Sequence, residues 1–223
     1  NSSDYNDDCI DDDDGGEDDE EDDFAEDGIS DESDSNSVRR SAAATLDDTA
    51  CTFGDAILPL VIPHIEARMH AAGDAAQWPV LEAAILAIGA IGHGCRGGLA
   101  PYMPRVLPYL IDAMGSAEPS IRGTAAWTGA RYSELMVAEF ERAPSAAAAQ
   151  TTLLCRYVQR ALALLQDPID KVFSYACSAL ADLIDTARER FAPFAAALLD
   201  TVARIYPARG ASWLLCDVVA ALA

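Results

Sequence analysis

Apolar residues recur three and four positions apart along most of the chain after residue 37, which is the spacing of amphipathic helices. The pattern is clearest between Asp170 and Ala187, where one helical stripe would hold Val172, Ala176, Ala179, Leu180 and Leu183. Alanine and leucine are abundant and β-branched runs are few, which favours helices over strands. The pattern therefore predicts an all-α protein.

The predicted helices come in pairs that repeat along the chain. Equivalent apolar positions of the second helices are Val38, Val80, Ile121, Val172 and Leu214, with separations of 42, 41, 51 and 42 residues. Three of these four separations fall in the range of about 40 to 47 residues that is typical of HEAT and armadillo repeats. The long interval predicts an inserted loop at Ala143 to Ala149. We expect a HEAT-repeat α-solenoid, a right-handed superhelical array of antiparallel helix pairs; the alternative is a closed bundle of Ala-rich helices.

The predicted array covers residues 38–223 and follows a separate segment, residues 1–37. Its parts are the second helix of one pair and then four pairs, at 38–54, 55–97, 98–139, 150–187 and 188–223. The first helices carry Pro59, Pro63, Pro101, Pro104, Pro108 and Pro193. Proline bends a helix by removing a backbone donor, which suits the convex layer of a superhelix. The second helices would then line the concave side, where solenoids bind extended partners.

Negative charge is concentrated in residues 1–37, which hold 14 Asp and 5 Glu but no Lys or Arg, while the rest of the chain holds 18 acidic and 15 basic residues. Self-repulsion and scarce apolar residues predict that this segment is disordered. It is either a solubilising tail or an arm that attracts or competes with basic peptides, and it argues against general nucleic-acid binding. Its densest part contains Asp11, Asp12, Asp13, Asp14, Glu17, Asp18, Asp19, Glu20, Glu21, Asp22 and Asp23.

Other function classes find little support in the sequence. The six cysteines are scattered without a CxxC pair, which favours reduced thiols in an intracellular protein. We expect no signal peptide, and no apolar run in the sequence is long enough to span a membrane. His64, His70 and His93 lack neighbours at metal-ligand spacing, and GAIGHGCRGG ends a helix rather than following a strand. We expect no enzyme activity, cofactor, metal, membrane insertion or direct nucleic-acid contact, and a monomer. Since the chain begins without Met and stops within a helical pattern, we also expect a piece of a longer protein.

A candidate binding face lies opposite the apolar stripe of residues 170–187. It holds Tyr175, Ser178, Asp182 and Asp185, and a shift of 51 residues gives Thr124, Trp127, Arg131 and Glu134 one repeat earlier. A tryptophan beside carboxylates can receive apolar side chains or stack on a guanidinium, while the aspartates attract Arg or Lys. Asp217 would extend the acidic lining.

Purely structural roles are open for the same residues. Trp127 can pack between repeats, Tyr175 can be a packing residue, and the aspartates can be a solvated face. Arg131 can pair with Glu134 or with Asp182. Trp78 and Trp213, at predicted helix starts, fit packing better than ligand binding.

The chain resembles the transportin (karyopherin-β2) family of nuclear import receptors. The resemblance rests on ILPLVIPHIEARM, LEAAILAIGAIGHGC, LAPYMPRVLPYLI, IRGTAAWTGARY and ACSALADL at matching intervals, and on the acidic run before VRRSAAATLDDTA. It covers essentially the whole chain and implies a central slice of a longer HEAT superhelix whose acidic run is an internal loop.

The resemblance also implies a function. The family binds basic proline-tyrosine nuclear localisation signals, such as those of RNA-binding proteins, on this part of its inner arch. Trp127 matches the signal-binding tryptophan, Arg131 matches the basic residue one turn later, and Asp185 and Asp217 match acidic positions. Tyr175 replaces a small residue, Asp182 replaces a hydroxyl residue, and Ala221 stands where the family has threonine.

In the intact receptor, the family implies nucleoporin and Ran GTPase partners, an acidic loop through which Ran-GTP displaces cargo, and shuttling between cytoplasm and nucleus. Two other functions are open from the residues alone. One is a general HEAT scaffold of the phosphatase-regulatory kind, and the other is an acidic chaperone for basic proteins.

Overall fold

The computed structural model describes residues 33–71, 77–209 and 212–222, and these residues form helices joined by turns, with no strand among them. The helices are α1 Ser33–Phe53, α2 Leu58–Ala71, α3 Trp78–Ala90, α4 Arg96–Leu99, α5 Met103–Ala113, α6 Pro119–Ala130, α7 Ser133–Glu141, α8 Ala146–Ala149, α9 Leu153–Leu164, α10 Asp170–Ala187, α11 Ala192–Arg209 and α12 Trp213–Ala220. Two 3₁₀ turns, Gly54–Ile57 and Arg188–Phe191, lead into α2 and α11. The all-α prediction is confirmed.

The second helices form a continuous layer. Helix α1 packs on α3, α3 on α6, α6 on α10, and α10 on α12. The first helices cover this layer, with α2 on α3, α5 on α6 and α9 on α10, and α9 also contacts α5 and α11. Each second helix therefore packs against its own first helix and against the second helices of adjacent pairs, which gives one hydrophobic core along the array.

The apolar register was predicted correctly in the middle of the array and wrongly at its start. Ile121 and Val172 are buried, whereas Val38 is 68% exposed and Val80 is 37% exposed. In α3 the buried positions begin at Glu82 instead. The reason is that alanine-rich helices offer several alternative apolar stripes, and the neighbouring helices decide which stripe is covered.

Helices α6 and α10 share the most extensive contact among the described second helices. All five residues of the predicted α10 stripe are at most 1% exposed. The ring of Tyr175 lies against Gly123, where a Cβ atom would be 2.5 Å from Cδ2. A tyrosine of α9, Tyr157, approaches Gly129 equally closely. Glycine is needed at both positions because any side chain would meet the ring.

The long interval between repeats is partly helical. Residues 143–149, predicted as an inserted loop, include the single-turn helix α8. Six prolines were expected in the first helices. Of these, Pro63 and Pro108 lie inside α2 and α5, and Pro104 lies in the first turn of α5.

Candidate binding surface on the second helices

Trp127 lies on α6 and faces α3. Its ring is partly buried and packs against Gly89, where a Cβ atom would be 2.4 Å from Cζ3. Packing between repeats is therefore one role of this side chain. Because the ring is not fully buried, part of it remains accessible on the second-helix layer.

Arg131 covers Trp127 one turn later. Its guanidinium carbon is 5.2 Å from the centre of the Trp127 ring, and Nη2 is 2.9 Å from Oδ2 of Asp47 on α1. The two side chains of this ion pair are 20% and 33% exposed, so the pair is partly screened by water. The structure pairs Glu134 with Arg96, rather than with Arg131. We call Asp47, Trp127 and Arg131 the tryptophan cluster.

Thr124 does not lie on the open face, contrary to the prediction. It is 4% exposed, and its hydroxyl donates to Oε1 of Glu82 on α3 at 2.8 Å. The helical wheel places Thr124 beside Trp127, but α3 covers that side of α6. Tyr175, the next predicted residue, is partly buried and has its ring against Gly123.

The three predicted aspartates are exposed on adjacent helices, Asp182 and Asp185 on α10 and Asp217 on α12. Two of these carboxylates influence the pKa of buried side chains. Burial raises the pKa of the Cys177 thiol to about 12, with Arg209 opposing the shift and Asp217 adding to it. Burial also raises the pKa of Tyr157, with Asp182 adding to that shift. The acidic side chains of Asp11 to Asp23 lie outside the described residues.

A set of polar links between repeats was not predicted from the sequence. Arg122 of α6 contacts Asp167, just before α10, through Nε and Nη2, both 2.8 Å from Oδ2. Thr128 donates to the carbonyl of Ile85 at 3.1 Å, and Tyr132 donates to that of Ile88 at 2.6 Å. These links could have been expected from the hydroxyl and charged residues within an otherwise small and apolar stripe, because buried polar groups need hydrogen-bond partners.

The two other tryptophans differ from each other. Trp78 packs against the core at the start of α3, as predicted. Trp213 is 51% exposed at the start of α12, so the prediction that it is a packing residue was wrong.

No group of three or more His, Cys, Asp or Glu side chains in the described ranges could hold a metal ion. Within the same ranges, every helix is too short or too polar to cross a bilayer.

Comparison with known proteins identifies the repeats and their relatives. Residues 78–128 match the HEAT-like repeat family. The chain is 35% identical over 173 residues to Transportin-1 of Oryza sativa subsp. japonica, which covers 76% of this chain and 19% of that protein. It is 34% identical to Transportin of Dictyostelium discoideum, over 86% of this chain and 20% of the relative. Human Transportin-1 is 31% identical, over 74% of this chain and 17% of the relative. The chain thus spans about a fifth of the length of these relatives.

Solved structures agree on the fold. The karyopherin Kap121p bound to the SUMO protease Ulp1p superposes with a TM-score of 0.53 at 14% identity, over 89% of this chain and 22% of that chain. Kap121p bound to Pho4p gives a TM-score of 0.52 over the same shares. The HEAT solenoid is therefore confirmed, and this chain belongs to the transportin and importin-β family.

Proposed function

We propose that this chain is the signal-binding segment of a nuclear import receptor and that it binds basic, extended nuclear localisation signals of the proline-tyrosine type. The observation that carries the proposal is the tryptophan cluster, together with the exposed aspartates on α10, the helix that packs on α6, in a chain whose relatives are transportins.

The cluster offers a partly apolar platform for the peptide. The ring of Trp127 packs against Gly89 and lies next to the guanidinium of Arg131, so little ordering of the ring is needed on binding. A side chain that is already held in place loses less conformational entropy when a ligand contacts it. A proline or tyrosine of the peptide can contact the accessible part of the ring, and a peptide carboxylate or carbonyl can accept from Arg131.

The aspartates supply the charge complementarity. Asp182 and Asp185 lie on α10, the neighbour of α6, and Asp217 continues the row on α12. A basic peptide that runs across successive second helices therefore meets carboxylates on one side of Trp127. Exposed carboxylates mainly speed association and make it sensitive to salt, whereas the tryptophan contributes more of the affinity.

We extend the proposal to the roles that the family resemblance implies for the full-length receptor. The part of the acidic segment that precedes α1, residues 1–32, competes with cargo for this surface when Ran-GTP binds; nucleoporins bind the receptor, and the receptor shuttles between cytoplasm and nucleus. Such coupling requires that the segment favours the cargo-free state. Kap121p, which has the same fold, is bound to protein ligands in its crystal structures.

Calorimetric titration with a proline-tyrosine signal peptide tests the proposal. Trp127→Ala should weaken binding at least tenfold, the loss typical of a central aromatic residue in an interface. The matched control is Trp213→Ala, which removes an indole from α12 and should leave the affinity within about twofold of wild type. Equal affinities of wild type and Trp127→Ala would contradict the proposal.

Deletion of residues 1–32 separates import from the acidic-chaperone alternative. The cut leaves α1 intact, because this helix begins at Ser33. If the acidic segment competes with the ligand, the shortened protein should bind the peptide at least as tightly as the full chain. Loss of binding would show that the acidic segment itself is the binding site.

A further inference from the structure

A recess lies on the same layer as the tryptophan cluster, nearer the amino-terminal ends of the second helices. It has a volume of about 110 Å³ and is lined by residues of α1, α3, α6 and α10, including Arg39, Glu82, Thr124, Lys171 and Tyr175. Thr124 stands three positions before Trp127 on α6, so the recess is about one helical turn from the tryptophan cluster. A volume of this size suits the head group of one side chain.

The chemistry of the recess centres on Glu82. Its side chain is 6% exposed; Oε1 accepts the hydrogen bond from Thr124, and Oε2 forms an ion pair with Arg39. A carboxylate at this depth is costly without a cationic partner, because burial removes its hydration. In its charged form Glu82 therefore needs a cationic partner, and in this structure Arg39 supplies it.

Arg39 is the replaceable member of the pair. It is 38% exposed and lies in the amino-terminal half of α1. Among the described side chains of that helix, the first buried one is Ala50, and Leu46 is only partly buried. Because none of the described side chains between residues 38 and 49 is buried, the turns around Arg39 can open at little cost. Opening would leave the buried carboxylate ready for another cation.

We propose that Glu82 is a masked subsite for an arginine side chain of the bound signal, and that Arg39 occupies it as an internal substitute until the ligand arrives. The inference rests on the proposed function, since it names a further contact for the same basic ligand. The incoming guanidinium takes the place of the guanidinium of Arg39, so the number of buried charges does not change. The ring of Tyr175, held against Gly123, forms a wall of the recess and provides a flat surface beside the bound group.

Two peptides distinguish this exchange from general attraction, namely a basic signal peptide and the same peptide with its arginines replaced by uncharged citrulline. Arg39→Gln should tighten binding of the arginine peptide about three- to tenfold, because the ligand no longer competes with an internal cation. It should not tighten binding of the citrulline peptide. Arg40→Gln makes the same charge change one residue along and serves as the matched control. The double variant with Glu82→Gln should lose the gain.

Amide hydrogen exchange of the unmutated protein tests the inference without relying on the folding of any variant. Saturating arginine peptide should increase amide exchange in residues 38–46, because displacement of Arg39 releases these turns, whereas citrulline peptide should not. The inference is overturned by unchanged exchange, by equal effects of Arg39→Gln and Arg40→Gln, or by a gain that survives Glu82→Gln. If Trp127→Ala still weakens binding at least tenfold in that case, the proposed function stands and only the masked subsite fails.

Discussion

Two junctions between neighbouring second helices hold the array together in different ways. At the junction of α6 and α10, the ring of Tyr175 packs against Gly123, and Arg122 and Asp167 form an ion pair whose side chains are only 15% and 8% exposed. The apolar stripe of α10, from Val172 to Leu183, is also buried. At α1, by contrast, Ala50 is the buried residue among the described side chains of the helix. Its other links to the array include two ion pairs, one from Arg39 and one from Asp47.

The difference suggests where a ligand can bind. Close packing of small and aromatic side chains cannot be exchanged for contacts with another molecule without opening a cavity. Ion pairs at a partly hydrated surface can be exchanged, since a ligand can bring an equivalent charge. We therefore expect the α6–α10 junction to act as scaffold and the α1 junction to take part in binding.

The largest expected effect is on the scaffold junction. Asp167→Ala should lower the free energy of unfolding by about 3 to 5 kcal/mol, because it removes the carboxylate that neutralises the largely buried Arg122 and leaves that guanidinium only the carbonyls of Ser116 and Ala117 as acceptors. It also removes the acceptor for the backbone N–H of Ile169 at 3.0 Å. Urea unfolding followed by circular dichroism measures the change. Asp200→Ala, at an exposed position on α11, is the control and should change stability little. A loss below 1 kcal/mol for Asp167→Ala would contradict the assignment of a scaffold role.

Alkaline pH should weaken the scaffold next. Burial raises the pKa of Tyr132 and Tyr157 above the ordinary value of 10.0, and that of Cys177 from 9.0 to about 12. Because the folded state favours the neutral forms, this stability is complete below pH 9 and is lost as pH rises from about 9 towards 12. Each group can contribute up to about 1.4 kcal/mol per pH unit within its own range. Unfolding free energies from pH 7 to 11 measure the loss.

Tyr157→Phe provides the internal control for the pH series. It removes one ionisable group together with the hydrogen bond from its hydroxyl to the carbonyl of Ala126, which is 2.5 Å long. The variant should be less stable at pH 7 but should lose less stability between pH 10 and 11. An unchanged slope would mean that the tyrosine becomes hydrated before the protein unfolds.

A smaller effect is expected at Gly89 of α3, the helix between the α1 junction and the α6–α10 junction. Gly89→Ala places a methyl group against the Trp127 ring, and the strain of about 1 to 3 kcal/mol should exceed the gain of about 1 kcal/mol in helix propensity. The emission of Trp127 should shift as its ring moves. Gly97→Ala is the control, because its nearest atom is Oδ2 of Asp55 at 3.2 Å, the end of a side chain that can rotate. Equal stability of both variants would show that Trp127 moves freely.

The smallest expected change in stability is at the α1 junction, where the ion pairs can be exchanged. Arg131→Gln removes the ion pair with Asp47 and the contact with Trp127, and it should cost less than about 1 kcal/mol because both charges are partly hydrated. Acrylamide should quench Trp127 more strongly, as measured with Trp78 and Trp213 replaced by Phe. A loss above 2 kcal/mol would instead make Arg131 part of the scaffold.

The sequence allowed the helical class, the repeat pairs and the apolar stripe of α10 to be predicted, because these depend on spacing within one helix. It did not reveal that Thr124 is covered by α3, since a helical wheel does not show where the next helix lies. The partner of Arg131 was also hidden, because Asp47 lies 84 residues away. Such contacts depend on the rotation of one repeat against another, which many small side chains determine together.

The central claim is that the surface around Trp127 binds a basic signal, and one titration tests it most directly. With Trp78→Phe and Trp213→Phe, Trp127 is the only tryptophan that emits. Addition of a proline-tyrosine signal peptide should shift this emission in a saturable way, with a midpoint equal to the Kd from calorimetry, and the combined change Asp182→Asn and Asp185→Asn should move the midpoint to higher peptide concentration. Emission that stays constant while calorimetry detects binding would place the ligand elsewhere and contradict the claim.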